Sequence, residues 1–250
     1  LCFIGTYILY VIFKMQNMSD SAKIMSNRTY LEPKMDILSS ILNQIDLSSS
    51  FYYRTSFGGK WGVSMPEEEA IARFHIVSKG SFWLSIDQEK YHSEIKEGDI
   101  LIVFKGLEHG MSDTKESRIL SEIEFESKSN LTTSNVLEFG DQESKVTNII
   151  CGHFSFTKNR THPFLLALPN ILHIKKEDND HSSYLKMVLD FIDFESKNNK
   201  PGTDIILKKL TEVIFIQAFR VYLESNKSKV HYFNLINDLH TKKVLDAIHK

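Results

Sequence analysis

Short apolar segments separated by turn residues recur between positions 51 and 126, and this pattern limits the fold more than any other feature of the chain. The segments are FYYRTSF, WGVSM, AIARFHIVS, SFWLSID, YHSEI, DILIVF and RILSEIEFE. Glycines in FGGKWG and KEGD supply the positive φ angles that hairpin turns need. None of the segments is long enough to be the helix of a βαβ crossover. The pattern therefore predicts a β-sandwich or barrel rather than a parallel sheet.

Helical periodicity appears on both sides of this region. MDILSSILNQI (35–45) has apolar residues at helical spacing, and further helices are predicted over 184–196 and 202–225. The segment 202–225 is apolar on more than one face, which indicates burial on several sides. Two partners fit that pattern: the rest of the same domain, or a second copy of the chain. The polar stretch 126–145 is predicted to be a loop, and VTNIICGHFSF (146–156) a strand.

The charge balance and the cysteines limit the function classes. The 250-residue chain has 30 Lys and Arg against 32 Asp and Glu, which gives a formal net charge of −2. There is no general basic field of the kind that drives nucleic-acid binding. Cys2 and Cys151 form no disulfide framework, so reduced, cytoplasmic conditions are expected.

The first thirteen residues, LCFIGTYILYVIF, are uncharged and mostly apolar. The run is shorter than the ~20 residues of a membrane span, and no positive region precedes it as in a signal peptide. An upstream extension, with the natural start at a later methionine such as Met35, is the favoured interpretation. A membrane anchor and a signal remnant are the alternatives. No membrane partner is therefore predicted.

Two histidines are the leading candidates for chemistry. His75 and His109 each lie close to a glycine turn, where an inward side chain of a small barrel fills the lumen or lines a ligand site. Together with Arg73 and the aromatic Trp61 and Trp83 they could hold an organic ligand. The alternative is that both histidines are hydrogen-bonded core residues.

A second pair, Cys151 and His153, shares one face of the strand predicted over 146–156. Such a pair could be a nucleophile with its base, or half of a metal site. No nucleophile elbow accompanies it, and free cysteines are usually buried packing residues. The packing interpretation is therefore favoured, and no catalytic residue is predicted.

The order of the motifs carries a family resemblance. FHIVSKGSFWL and EGDILIVFKGLEHGMSD resemble the two-part cupin signature, and more closely the cupin-like sensor domain of AraC-type transcription regulators. MDILSSIL and WGVSM before these two motifs, and IICGHFSF, HPFLLALPNILHI and IILKKLTEVIFIQAFRVYL after them, also occur in the family's order. The resemblance covers nearly everything from Met35 to Lys250. It implies a small antiparallel cupin-type β-barrel followed by a helical C-terminal subdomain.

The resemblance also implies a domain layout and partners. It predicts a sensor barrel over 35–175, a helical dimerisation and linker part over 182–238, and the start of a truncated helix-turn-helix domain over 239–250. Residues 1–34 would be an extension outside the fold. The implied partners are a small-molecule effector and a second copy of the chain. DNA would be reached only through a C-terminal domain absent from this chain, because no recognition helix is present.

The residues also bear on the cupin subtype. The metal-binding pattern has two histidines, a glutamate seven positions before the first glycine, and a third histidine in the second motif. Arg73 occupies the glutamate position before Gly80, Phe104 replaces the usual proline, and only His109 lies where a ligand belongs. An arginine there would repel a divalent cation, so neither metal nor cofactor is predicted. A metal-dependent cupin enzyme, an isomerase or dioxygenase, is the alternative function.

Overall fold

The computed structural model describes residues 37–69, 71–132, 136–156, 162–176, 182–198 and 200–225. Backbone contacts divide the chain into two units, residues 1–40 and 41–250. The predicted extension 1–34 and the predicted helix-turn-helix start 239–250 lie outside the described residues. The boundaries proposed for the barrel and the helical part stay predictions.

Eleven strands form two sheets in the described part of the chain. The strands are β1 (Leu47–Gly58), β2 (Gly62–Met65), β3 (Ile71–Lys79), β4 (Ser81–Ile86), β5 (Tyr91–Lys96), β6 (Ile100–Val103), β7 (His109–Ser112), β8 (Asn130–Leu131), β9 (Val136–Gly140), β10 (Val146–Phe156) and β11 (Ile171–Ile174). The seven-stranded sheet has the order β11-β6-β3-β10-β1-β9-β8, and the four-stranded sheet the order β2-β7-β4-β5. The predicted β-rich cupin-type class with C-terminal helices is confirmed.

The expectation of a purely antiparallel barrel needs one correction. β1 pairs antiparallel with β10 but parallel with β9. β9 and β10 are consecutive in the chain and run in opposite directions, with β1 inserted between them. A strand in that position must be parallel to one of its two neighbours, so the sheet is mixed.

The helices are α1 (Ile37–Ile45), α2 (Glu122–Lys128), α3 (Pro163–Leu166), α4 (Ser182–Asn198) and α5 (Thr203–Ser225), with a 3₁₀ turn at Asp87–Glu89. α2, β8 and β9 occupy stretches for which the sequence predicts a strand followed by a loop over 126–145, so those two predictions are wrong. The N–H of Glu124 donates to Ser121 Oγ at 3.3 Å. Ser121 and Glu124 have the spacing of a capping box, a helix-start signal in the sequence.

Side chains alternate between the two faces of the seven-stranded sheet. The inner face shares a core with the four-stranded sheet, and this core includes Phe57, Val63, Val77, Phe82, Leu84, Ile95, Leu101, Val103, Met111 and Ile149. On β3, Arg73, His75 and Val77 point to this side. The polar side chains of Arg73 and His75 therefore both point from β3 into the interior of the barrel.

α5 covers part of the outer face. The rings of Phe74 and Phe154 lie 4.9 Å apart on the sheet, and Phe215 of α5 is 4.9 Å from Phe154. Ser49 of β1 bonds to Thr211 of α5 at 2.6 Å. α5 is thus buried mainly along one side, with exposed apolar positions such as Ile205 on the other. Within the described ranges, no helix is long and apolar enough to cross a membrane.

Candidate functional site

A cavity of about 290 Å³ opens on the inner face of the seven-stranded sheet. It lies between the sheet, β2, β7 and α2. Its lining residues are Thr55, Phe57, Met65, Arg73, His75, Met111, Glu122, Phe125, Glu126, Cys151 and Gly152. The walls are mainly apolar with a few polar groups, the usual composition of a small-molecule site.

Three buried side chains form a hydrogen-bonded chain beside this cavity. Cys151 of β10 is the register partner of His75 on β3, and its Sγ lies 3.3 Å from His75 Nδ1. His75 Nε2 lies 2.8 Å from His109 Nε2. His109 Nδ1 is 2.8 Å from the carbonyl oxygen of Leu107. Both histidines are only 1% exposed.

The last acceptor in this row of hydrogen bonds, the carbonyl group of Leu107, determines where each proton lies. A carbonyl only accepts, so His109 Nδ1 carries a proton and donates it to Leu107. In the neutral ring His109 Nε2 is then an acceptor, and it receives the Nε2–H of His75. That leaves His75 Nδ1 as an acceptor for the Cys151 S–H. Both ring nitrogens of His75 are therefore occupied by protein partners.

The pKa shifts of His75, His109 and Cys151 agree with all three side chains being uncharged. Burial lowers the pKa of His75 well below its usual value, and the neighbouring His109 and Arg73 lower it further. Burial also lowers the pKa of His109 to about 4, although its bond to Leu107 acts in the opposite direction. Burial raises the pKa of the Cys151 thiol to about 12 against a weaker opposing effect of its bond with Thr55. A thiol that stays protonated is a poor nucleophile, which leaves Cys151 as a hydrogen-bonding and packing residue.

Arg73 supplies a buried positive charge next to these hydrogen-bonded side chains. Its side chain is 5% exposed. Nη1 donates to the carbonyl oxygen of Pro66 at 2.6 Å, and Nη2 donates to Glu68 at 2.9 Å. Glu68 is half exposed, so the pair lies at the edge of the barrel. A cation in this position adds to the cost of placing a metal ion near His75.

The structure brings together only some of the predicted site residues. Arg73 and His75 line the cavity, and His109 lies directly behind His75. Trp61 instead stacks on Phe57 with ring centroids 3.9 Å apart, and it is not among the residues that line the cavity. Trp83 is half-buried on the opposite face of β4, where the Lys115 ammonium lies 4.2 Å from its ring. Roles for these five residues in binding stay predictions.

Several lining residues were not candidates on sequence grounds. Phe125, Glu122 and Glu126 come from α2, whose capping box indicates a helix but not its place over the barrel mouth. Cys151, which the sequence analysis considered only together with His153, joins His75 because β10 pairs with β3 across a separation of 76 positions. Sequence spacing carries no signal for that pairing. Within the described part of the chain, no three His, Cys, Asp or Glu side chains are grouped closely enough to hold a metal ion.

Comparison with known proteins gives concordant matches. Residues 36–224 match the family model Cupin_6, described as a cupin. The chain is 24% identical over 216 residues to the HTH-type transcriptional regulator AlkR of Acinetobacter baylyi, which covers 86% of this chain and 70% of that protein. It is 27% identical over 194 residues to the HTH-type transcriptional regulator MtrA of Neisseria gonorrhoeae, covering 77% of this chain and 60% of that protein.

Among solved structures, ToxT of Vibrio cholerae O395 aligns with a TM-score of 0.32 and 12% identity over 70% of this chain and 54% of that one. The match to the cupin model extends over more than half of the chain and includes both sheets, α4 and all but the last residue of α5. The chain therefore belongs to the cupin family and is homologous to AraC-type transcription regulators.

Proposed function

We propose that this chain is the effector-sensing and dimerisation part of an AraC-type transcription regulator that acts in the cytoplasm. A small molecule binds in the barrel and controls an attached DNA-binding domain, which is a separate unit in this class of regulator. The observation that carries the proposal is the cavity on the inner sheet face of a chain homologous to two such regulators.

The cavity favours a small, largely apolar effector. Its volume of about 290 Å³ is at the lower end of ligand sites. Thr55, Arg73, Glu122 and Glu126 are the polar side chains available to orient a ligand, because the ring nitrogens of His75 already bond to Cys151 and His109. The histidines then act mainly by fixing the shape of the cavity wall.

One strand connects the cavity with the helical part. Thr55 of β1 lines the cavity, and the preceding residue, Arg54, points to the outer face. There its guanidinium pairs with Asp193 of α4 at 2.8 Å. A ligand that shifts β1 therefore changes the position of α4. Control of this kind requires that the ligand binds one arrangement of α4 more tightly than the other.

α4 also carries the surface that we assign to the dimer. Four apolar side chains lie on its exposed face: Tyr184, Met187, Phe191 and Phe194, between 47% and 64% exposed. Their spacing of three, four and three positions places them in one stripe along the helix. A contiguous exposed apolar stripe is typical of an interaction surface. The same stripe on a second copy, related by a twofold axis, would cover it.

The effector site is tested by a thermal-shift screen of small metabolites on the 250-residue chain. Compounds that raise the melting temperature are then measured on Met65→Trp, which fills the cavity, and on Ile123→Trp, whose side chain is 80% exposed on α2. The stabilisation should disappear in the first variant and persist in the second. Equal stabilisation of both variants would place the ligand elsewhere and defeat the proposal.

The dimer is tested by sedimentation at micromolar concentration. The wild-type chain and Ile205→Asp should be dimeric, because Ile205 is exposed on α5 outside the stripe. Phe191→Asp should be monomeric, since loss of a central aromatic contact weakens an interface by about 2 kcal/mol or more. A monomeric wild type, or a dimeric Phe191→Asp, would show that the stripe is not the interface.

We propose no enzymatic activity for this chain. The alternative, a metal-dependent cupin enzyme, needs a cation next to His75 and Arg73. Its test is the metal content of protein purified without chelators. One equivalent of a transition metal that is lost in His75→Phe and His109→Phe would favour the enzyme over the sensor.

A further inference from the structure

A second, larger cavity lies on the other side of the seven-stranded sheet. Its volume is about 700 Å³, and it is bounded by the outer sheet face and α4. No residue that lines it also lines the barrel cavity. Its size is well within the range of small-molecule sites.

The floor of this cavity is a row of isoleucines in register. Neighbouring strands pair Ile174 with Ile100, Ile100 with Ile76, and Ile76 with Ile150. Leu185 and Leu189 of α4 face this row from above. The result is an elongated apolar lining that runs across four strands.

Polar atoms lie at one end of the row. Arg54 is the next register partner after Ile150, and Asn148 lies beside it on the adjacent strand. Arg54 Nε and Asn148 Oδ1 are both buried and have no hydrogen-bond partner, although the other end of the guanidinium pairs with Asp193. Buried polar atoms of this kind are rare in folded proteins. A donor and an acceptor without partners can be satisfied by polar groups of a bound molecule.

The rim of the cavity has an excess of positive charge. Three of its cations are already paired: Arg54 and Lys197 with Asp193, and Lys186 with Asp190. Three further lysines, Lys79, Lys175 and Lys176, line the rim and form no ion pair with a described residue. Among the described residues that line the cavity, Glu97 is the one carboxylate without an ion pair. The unpaired groups therefore carry a net charge of +2.

We propose that this outer cavity is a binding site for an amphipathic organic anion. The apolar body of the ligand lies along the isoleucine row beneath Leu185 and Leu189. Its anionic group is held by the rim lysines or by the free Nε of Arg54. The site is separate from the barrel cavity and does not depend on whether the barrel binds an effector. Because α4 forms its roof, an occupied cavity holds that helix against the sheet.

The test uses the dye anilinonaphthalene sulfonate, which combines an aromatic body with one sulfonate. Its fluorescence should rise saturably when it is titrated with the full 250-residue chain. In the double variant Lys79→Glu and Lys175→Glu the Kd should increase by about tenfold or more, because charge-assisted contacts are lost and repulsion replaces them. Leu189→Trp, which fills the cavity, should abolish the fluorescence rise.

Matched variants separate this site from other dye-binding surfaces. Lys128→Glu with Lys145→Glu makes the same charge change at exposed positions away from the cavity, and it should leave the Kd unchanged. Met65→Trp, which fills the barrel, should also leave it unchanged. The proposal is overturned if the wild type shows no saturable binding, if both lysine pairs weaken binding equally, or if only Met65→Trp abolishes it. The last outcome would assign the dye to the barrel.

Discussion

Acidification should destabilise this fold through the buried histidine pair. Between pH 6.5 and about 4 the unfolded chain protonates His109, whereas the folded chain keeps it neutral. The unfolded state then binds more protons, so the free energy of unfolding falls as the pH falls. Near pH 5 a pKa lowered from 6.5 to about 4 corresponds to a factor of about thirty, or about 2 kcal/mol. His75 adds a loss in the same direction, because its pKa is also lowered.

The assay is urea denaturation followed by circular dichroism at pH 7.5, 6 and 5. The wild type is compared with the double variant His75→Phe and His109→Phe, in which both polar partners become apolar groups of similar shape. The replacement also removes the partners of the Leu107 carbonyl and the Cys151 thiol, so the variant should be less stable than the wild type at neutral pH, and the comparison is made on the pH dependence alone. The variant should lose less stability on acidification than the wild type, although His153, whose pKa is also lowered by burial, still contributes. His92→Gln, an exposed change on β5, should behave as the wild type.

Two results would refute this reasoning. One is a wild type whose free energy of unfolding is the same at pH 7.5 and pH 5. The other is a folded double variant with an undiminished pH dependence. A histidine titration by NMR provides an independent check, since in the folded chain the ring of His109 should titrate near pH 4 and that of His75 well below pH 6.5. Titration of either ring near pH 6.5 would show that the pair is accessible to water.

Three further predictions concern packing and backbone. Native Cys151 should react with a thiol reagent only as fast as the chain unfolds, because the thiol is buried and its pKa is raised to about 12; rapid labelling of the folded chain would contradict this. Gly106→Ala should be strongly destabilising in thermal melting, since a Cβ there would overlap the carbonyl oxygen of Glu68, whereas Gly202→Ala, also at positive φ but in open space, should cost about 1 kcal/mol. Phe215→Ala should cost about 3–5 kcal/mol in urea denaturation because its ring is buried between sheet and helix, and Ile205→Ala on the exposed side should cost far less; similar losses would show that α5 is not packed on the sheet.

The sequence predicted the strands of the barrel because alternation and glycine turns are local signals. It also predicted α4 and α5 within two residues at each end. It failed at α2, most of which lies in the segment RILSEIEFE predicted as a strand, and over 126–145, where the polar composition predicted a loop in place of β8 and β9. The β1–β9 pairing there is parallel and joins residues about eighty positions apart. Such pairings are specified by tertiary packing, which no local pattern records.

Only those features of the candidate site that depend on local sequence spacing could be predicted. Arg73 and His75 share a strand face, and two-residue spacing indicates this directly. The contact between His75 and Cys151 depends on the register of β3 with β10. Trp61 and Trp83 do not line the cavity because of how the segments around β2 and β4 pack. Aromatic residues that are close to a site in the sequence can instead pack in the hydrophobic core, as Trp61 does on Phe57.

The side chains of β3 alternate between the interior of the barrel and the helices on the other side of the sheet. Arg73, His75 and Val77 face the barrel, while Phe74 and Ile76 face the helices. A shift of the strand along its own axis would therefore move the histidine chain and the isoleucine row together. The Arg54–Asp193 pair joins this outer face to α4, and the buried Leu185 and Ile192 anchor the same helix, so a ligand that moves α4 must change both kinds of contact.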